Sequence, residues 1–140
     1  MSDVTVVALD AMGGDNAPGA IVQGAVDAVN ANNTVKVMLV GIEDVVRQEL
    51  SKYDYNEAQI EVVNATEVIE TAEPPVMAIR KKKDSSIVVA LELVKAGKAD
   101  AFVSAGSTGA VLVGGQLLIG KLKGVKRAPL APPRPLLPHN

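Results

Sequence analysis

The stretch VTVVALDAMGGDNAP, residues 4–18, predicts the first structural unit of this protein. It begins with a continuous apolar run, Val4–Leu9, which is typical of a strand buried on both faces. Asp10 ends the run, and after a glycine-containing loop Pro18 stands where the first turn of a helix tolerates proline. This order of buried strand, loop and helix predicts a βαβ unit and a mainly parallel sheet.

The same alternation continues along the chain. The first helix is predicted from apolar residues at helical spacing, namely Ile21, Val22, Ala25, Val26 and Val29. Further strands are predicted at Val35–Val40, Ile60–Val63 and Ala101–Ser104. Further helices are predicted at Glu43–Lys52, from Pro74 to near Arg80, from Asp84 or Ser85 to Gly97, and from Gly109 to about Leu122. We therefore expect an α/β fold with helices on both faces of a mainly parallel sheet. The four predicted strands would form only part of such a sheet.

The end of the chain departs from this pattern. Five of the eight prolines fall between Pro129 and Pro138, which excludes a helix or a central strand there. We therefore divide the chain into an α/β portion, residues 1–127, and a proline-rich tail, residues 128–140, that is extended, disordered or aberrant in origin.

Composition excludes several classes of function. The 140 residues include 16 acidic and 14 basic side chains, so the net charge of −2 provides no basic field for nucleic acid. The chain has no cysteine, and its one histidine, His139, is the penultimate residue, which argues against histidine triads, thiol nucleophiles and the usual metal sites. We predict neither a metal nor a cofactor. The N-terminus has no basic segment, and the longest apolar stretch, Ala110–Gly120, is shorter than the roughly 20 residues of a membrane span, so we predict a cytoplasmic protein.

The first candidate binding loop follows the first strand, where open α/β sheets bind ligands. Its candidate residues are Asp10, Met12, Gly13, Gly14 and Asp15. Adjacent glycines let the backbone approach an anion closely, and a carboxylate could orient a group. The alternative is structural: the glycines form a tight turn, and Asp15 or Asn16 caps the helix.

The second candidate loop lies between the last strand and the last helix. It consists of Ser104, Ala105, Gly106, Ser107, Thr108 and Gly109. Small and hydroxyl-bearing residues suit a phosphate or an oxyanion. The alternative is helix capping by Ser107 or Thr108. Because both loops are predicted at one edge of one sheet, we favour a shared binding site.

The basic run Arg80–Lys83 is the third candidate. Charge runs are usually solvated surfaces, yet one or two of these side chains could reach an anionic ligand. The apolar helix after Gly109 is best interpreted as core or as a subunit interface.

Three motifs, in this order, resemble the N-terminal part of the bacterial phosphate acyltransferase (PlsX) family of fatty acid and phospholipid synthesis. They are Asp10–Pro18, Ala78–Ser86 and Lys98–Ala110, and Arg127–Pro132 also resembles the family, whereas residues 133–140 do not. Family members are considerably longer, so the resemblance implies an N-terminal portion. Ser107 departs from the family, which more often has asparagine there.

The resemblance implies transfer of an acyl group from acyl carrier protein to inorganic phosphate, giving acyl phosphate for a glycerol-3-phosphate acyltransferase. It further implies a three-layer fold similar to isocitrate and isopropylmalate dehydrogenases, a homodimer and peripheral contact with the membrane. On this basis the two loops form a phosphate cradle, Asp10 and Lys82 are the candidate catalytic residues, and Lys82 or a neighbour supplies positive charge.

Two other classes remain open. A nicotinamide-nucleotide dehydrogenase needs an acidic residue about 20 positions beyond the glycines, and Asp27 and Asn30 lie too close to serve. The second alternative is a catalytically inactive α/β fragment that only self-associates through an unpaired strand edge and an apolar helix.

Overall fold

Four parallel strands form one sheet in a computed structural model that describes residues 3–131. The strands are β1 (Thr5–Asp10), β2 (Val35–Gly41), β3 (Ile60–Asn64) and β4 (Ala101–Val103). The α-helices are α1 (Gly19–Ala31), α2 (Glu43–Leu50), α3 (Pro75–Lys81), α4 (Ser86–Lys95) and α5 (Thr108–Gly114). A 3-10 turn at Glu57–Gln59 precedes β3, and a π-helical turn at Gly115–Ile119 continues α5.

Helices cover both faces of the sheet, as the sequence predicts. Successive side chains of β2 point to opposite faces, so Val37 and Leu39 join a core with α1 and α2. Met38 and Val40 join a second core with Ala90 of α4. Burial on both sides accounts for the continuous apolar run of residues 37–40 within β2.

The strand order, β3-β2-β1-β4, creates a reversal beside β1. From β1 the chain moves outward through β2 to β3, then crosses to the other side of β1 to form β4, which pairs with β1 at Leu9 and Val103. In open α/β sheets, such a reversal leaves a crevice at the carboxyl ends of the two diverging strands. The segments that follow β1 and β4 border this crevice.

Several predicted boundaries shift. Helix α1 begins at Gly19, with Pro18 in the cap position, and α2 ends at Leu50 rather than Lys52. Ser85, and not Asp84, caps α4, because the Ser85 hydroxyl accepts a hydrogen bond from the Val88 amide. Strand β4 ends at Val103, so Ser104 belongs to the loop.

The prediction of a helix running to about Leu122 is wrong. The helical segment ends at Ile119, because Gly120 adopts a positive φ of 97° that no helix can continue. Leu122 lies beyond it and is 82% exposed.

Residues 121–131 contain no regular helix or strand, and the remainder of the predicted tail lies outside the described residues. The division at 127/128 therefore stays a prediction. Within residues 3–131, no helix has the length and apolar character that a membrane crossing requires.

Candidate functional site

The two predicted binding loops touch each other at the crevice. A Cβ atom added to Gly13 would lie 2.8 Å from the amide nitrogen of Gly106 and 2.7 Å from Asp10 Oδ2. Real Cβ atoms do not approach so closely, so this contact requires glycine at position 13. The structure therefore brings the first and second candidate loops into one site, as their common sheet edge predicts.

A buried carboxylate links the loops. Asp10 is 1% exposed, and its Oδ2 accepts a hydrogen bond of 2.8 Å from the Ser104 hydroxyl. Its Oδ1 accepts a second bond, of 3.1 Å, from the Met12 amide. The Ser104 hydroxyl in turn accepts from the Gly106 amide at 3.0 Å, so one connected network spans both loops.

The rest of the first loop divides into a buried part and an exposed part. The Met12 side chain packs against the core beneath α1 and α2, so only its backbone takes part in the network. Gly14 is exposed, has a φ of 92°, and lies against Ala105 of the second loop. Asp15 is exposed to solvent. The exposed surface of this loop therefore begins at Gly14.

The second loop contains one residue with a structural role. The Ser107 hydroxyl is buried and accepts a hydrogen bond of 3.2 Å from the Ala110 amide, which makes Ser107 the N-cap of α5. The capping alternative is thus confirmed for Ser107. Gly109 packs against Pro75, the first residue of α3, where an added Cβ would lie 2.7 Å from the proline ring. Ala105 and Thr108 are the exposed members of the loop.

Lys82 forms hydrogen bonds to two partners outside this network. Its ammonium donates to the Val68 carbonyl and to Glu73 Oε2, each at 2.8 Å. The bond from Lys82, assisted by one from the Glu70 amide, lowers the pKa of Glu73 below its ordinary value. The other basic residues of the run, Arg80, Lys81 and Lys83, are exposed, as expected of a solvated surface.

The neighbouring Asp84 joins the same segment of chain. Its Oδ2 accepts hydrogen bonds from the hydroxyl and the amide of Thr66, and these two bonds lower the pKa of Asp84. The hydrogen bonds of Lys82 and Asp84 therefore link the connection between β3 and α3 to the turn between α3 and α4.

A cavity of about 500 Å³ opens beside the second loop. Ser104, Gly106 and Thr108 form one end of it. Its other walls come from α5, the π-helical turn and the segment 128–130, and they are Val111, Leu112, Gly115, Gln116, Ile119, Gly120, Ala128, Pro129 and Leu130. No charged side chain is among these residues.

Residues 3–131 hold no group of three or more histidine, cysteine, aspartate or glutamate side chains arranged to bind a metal ion. The two glycine-containing loops pack closely against each other, and a mostly apolar cavity lies next to them. Such a site suits a small anion at the loops and an apolar group in the cavity. Fold and site together define an α/β protein with a candidate ligand crevice at its strand-order reversal.

Comparison with known proteins identifies the family. The model of a family described as "Fatty acid synthesis protein" matches residues 5–139, and the chain belongs to this family. A phosphate acyltransferase of Clostridium acetobutylicum is 51% identical over 130 residues, which are 93% of this chain and 39% of the relative. A phosphate acyltransferase of Clostridium beijerinckii is 53% identical over 129 residues, or 92% of this chain and 39% of the relative. The chain thus spans about two fifths of the length of these curated relatives.

The fold has a counterpart among solved structures. The phosphotransacetylase EutD from Staphylococcus aureus superimposes with a TM-score of 0.60 at 21% identity, covering 90% of this chain and 41% of that one. This similarity confirms the predicted α/β fold.

The cavity has no counterpart among the sequence predictions. The apolar pattern after Gly109 predicts core or an interface, and Ala110 and Gly114 are indeed buried. The outer side of that helix and the segment 128–130 instead form cavity walls. No periodicity could have shown this, because the second wall comes from irregular chain.

Proposed function

We propose that this site takes part in transferring an acyl group from acyl carrier protein to inorganic phosphate, with acyl phosphate as the product for phospholipid synthesis. One observation supports the proposal most strongly. The first and second loops are in contact at Gly13 and Gly106, where the strand order reverses, and a mostly apolar cavity lies beside them. The names of the relatives support phosphate as the acyl acceptor.

The reaction requires neither a nucleophilic side chain nor a side chain that acts as a general base. Inorganic phosphate is substantially dianionic near neutral pH, so one of its oxygens can attack the thioester carbon without a histidine or cysteine. A C–O bond forms, the C–S bond breaks, and the sulfur leaves with the bonding electron pair. The proton that hydrogen phosphate loses on forming acyl phosphate balances the one that the sulfur takes up as the free thiol. The protein has to orient phosphate and stabilise the oxyanion that develops.

The exposed members of the two loops are the groups that we assign to this task. Gly14 and Asp15 face solvent on one side, and Ala105 and Thr108 do so on the other. Asp10 uses both of its oxygens within the protein, which favours a role in holding the loops over direct attack on substrate.

Positive charge would come from the basic run. For Lys82 to meet a phosphate, it has to exchange its bonds to Glu73 and Val68 for bonds to the ligand. No exchange of ion-pair partners is needed for the exposed neighbours Arg80, Lys81 and Lys83. We therefore assign the charge to this run and not to Lys82 alone.

We further propose a homodimer in the cytoplasm that contacts acyl carrier protein, the inner face of the membrane and an acyl-phosphate-dependent glycerol-3-phosphate acyltransferase. Support for a lipid-facing surface comes from the end of the helical segment. Leu117, Ile119 and Leu122 are 51%, 46% and 82% exposed there, next to Lys121 and Lys123. Apolar side chains flanked by cations suit an anionic lipid surface.

The decisive experiment measures phosphate-dependent release of free thiol from a long-chain acyl carrier protein. The 140-residue chain is compared with Asp10→Ala and with the chain completed by the remaining part of a family member. Release that requires phosphate and is lost in Asp10→Ala supports the proposal. Release only by the completed chain assigns the activity to the longer protein, and no release by either contradicts the proposal.

A second candidate function is self-association without catalysis. Within the described residues, β4 pairs with β1 alone, and Val103 on this edge strand is 51% exposed. An apolar groove of about 320 Å³ adjoins it, with Leu9, Ile21 and Val103 in its walls. Sedimentation velocity over a range of protein concentrations tests this function: concentration-dependent association without affinity for phosphate would favour it over catalysis.

A further inference from the structure

The cavity beside the second loop has a polar end and mostly apolar walls, to which Gln116 contributes one amide. Ser104 and Thr108 contribute hydroxyl groups at the end that belongs to the loop. Beyond them most of the lining residues are aliphatic, and they include Leu112, Ile119 and Leu130. Among the described residues that line it, none has a charged or aromatic side chain, which is a poor match for a nucleotide or another ring-containing polar ligand.

Its long wall is built from an unusual helical turn. Gly115–Ile119 forms a π-helical turn, closed by a hydrogen bond of 2.9 Å from the Gly120 amide to the Gly115 carbonyl. Such turns are rare and occur frequently at functional sites. Within this wall, Gly115 leaves open space, since a Cβ added there would meet no atom of residues 3–131 within 4 Å outside the backbone of its own helix. The preceding glycine is different, because a Cβ at Gly114 would lie 2.7 Å from Leu91 Cδ1.

We propose that this cavity binds the unbranched hydrocarbon chain of the acyl substrate and places its carbonyl end at the Ser104–Thr108 loop. This inference rests on the proposed function, which it extends by assigning the position of the acyl chain. The cavity shares Ser104, Gly106 and Thr108 with the predicted phosphate cradle, so a chain that fills it ends where phosphate would attack. The volume of about 500 Å³ is within the usual range for small-molecule sites.

The proposal predicts a dependence on chain length. Burial of each methylene increases affinity about fourfold, until the cavity is filled. The probe is cis-parinaric acid, whose fluorescence rises in an apolar environment, displaced by unbranched carboxylates from hexanoate to hexadecanoate. Affinity that rises stepwise along this series and then levels off is the expected result.

Gly115→Leu is the variant that tests the location. The new side chain enters open space, so the fold is preserved while part of the cavity is filled. Hexadecanoate should then bind at least about tenfold more weakly, whereas hexanoate changes less. Leu130→Glu, at a residue 70% exposed on the opposite wall, should also weaken binding without affecting folding.

Gly24→Leu is the matched control. Gly24 is also a helical glycine whose added Cβ meets nothing within 4 Å, but it borders the groove beside α1 instead. Unchanged fatty acid affinity in Gly24→Leu, together with loss in Gly115→Leu, supports the proposal. The reverse pattern, or no saturable binding by the unmodified chain, overturns it.

The outcome is separable from that of the proposed function. Fatty acid binding in the cavity needs no phosphate and no turnover. If hexadecanoate binds and Gly115→Leu weakens it, the cavity assignment stands even where thiol release fails in every form of the chain. If thiol release requires phosphate but is insensitive to Gly115→Leu with every acyl chain length, the cavity assignment is wrong and the proposed function stands.

Discussion

Two pairs of loops are joined in this protein by different physical means. At the crevice, Asp10 is buried and the backbones at Gly13 and Gly106 are so close that no side chain fits between them. Near the basic run, Lys82 and Asp84 hold the connection after β3 through ionic hydrogen bonds at the surface. The first junction depends on volume and burial, and the second on charge.

This difference determines how each junction responds to change. Adding atoms to a close-packed network, or removing its buried acceptor, disturbs several hydrogen bonds at once. Exposed ion pairs contribute little, and salt screens them. The crevice junction should therefore be sensitive to single atoms, whereas the surface junction should be sensitive mainly to pH.

Gly13→Ala should have the largest effect. The added methyl group would lie 2.7 Å from Asp10 Oδ2, so the loops have to separate, at a cost of about 1–3 kcal/mol in the free energy of unfolding. Urea denaturation followed by circular dichroism measures this loss. Gly24→Ala is the control, since its methyl group meets open space within α1 and should stabilise the helix by about 0.5–1 kcal/mol.

Asp10→Ala should come next. The Ser104 hydroxyl and the Met12 amide both lose their acceptor at a buried position, which costs about 1–3 kcal/mol. Ser104→Ala should cost less, because Asp10 keeps its bond from Met12. The double variant should lose less than the sum of the two single losses, and strictly additive losses would show that the network does not exist.

Lys82→Met should have a small effect on stability at neutral pH. It removes the main cause of the lowered pKa of Glu73, so this pKa should rise towards its ordinary value. A titration of the Glu73 carboxyl by carbon-detected NMR checks the direction. An unchanged pKa would mean that the ion pair to Lys82 is not formed in solution.

Acid should weaken the surface junction selectively. The pKa values of Glu73 and Asp84 are lower in the folded protein than in the unfolded chain. Their contribution is therefore complete above the unfolded values, 4.5 and 3.8, and is lost as pH falls through the lower folded values. In urea denaturation between pH 6 and pH 2.5, the double variant Glu73→Gln, Asp84→Asn should show a shallower decline than the original chain, and an equal decline would exclude these two groups as its cause.

Much of the fold could be predicted from local patterns. Short apolar-rich segments predict all four strands, and Pro75 and Gly97 predict the ends of helices. The error at the last helix came from Gly120, because a glycine within an apolar run does not reveal the sign of its φ angle.

The site could be predicted only in part. Its two loops are predicted by the rule that ligands bind at the carboxyl ends of parallel strands. The role of each residue within the loops depends on distances, which no sequence pattern contains. Ser107 had two interpretations until its hydroxyl was placed against the Ala110 amide. Lys82 is a candidate because of its charge. Its ion pair with Glu73 could not be predicted, because Glu73 lies in the irregular chain between β3 and α3.

In our proposal the two loops form one anion site that depends on their contact at Gly13. Isothermal titration of inorganic phosphate into the chain, Gly13→Ala and Gly24→Ala tests it directly, with Ser104→Ala as a second variant if Gly13→Ala does not fold. We expect saturable binding by the chain and by Gly24→Ala, and loss of that binding in Gly13→Ala or weakening in Ser104→Ala. Phosphate binding of equal strength in all folded forms, or none in the original chain, would contradict it.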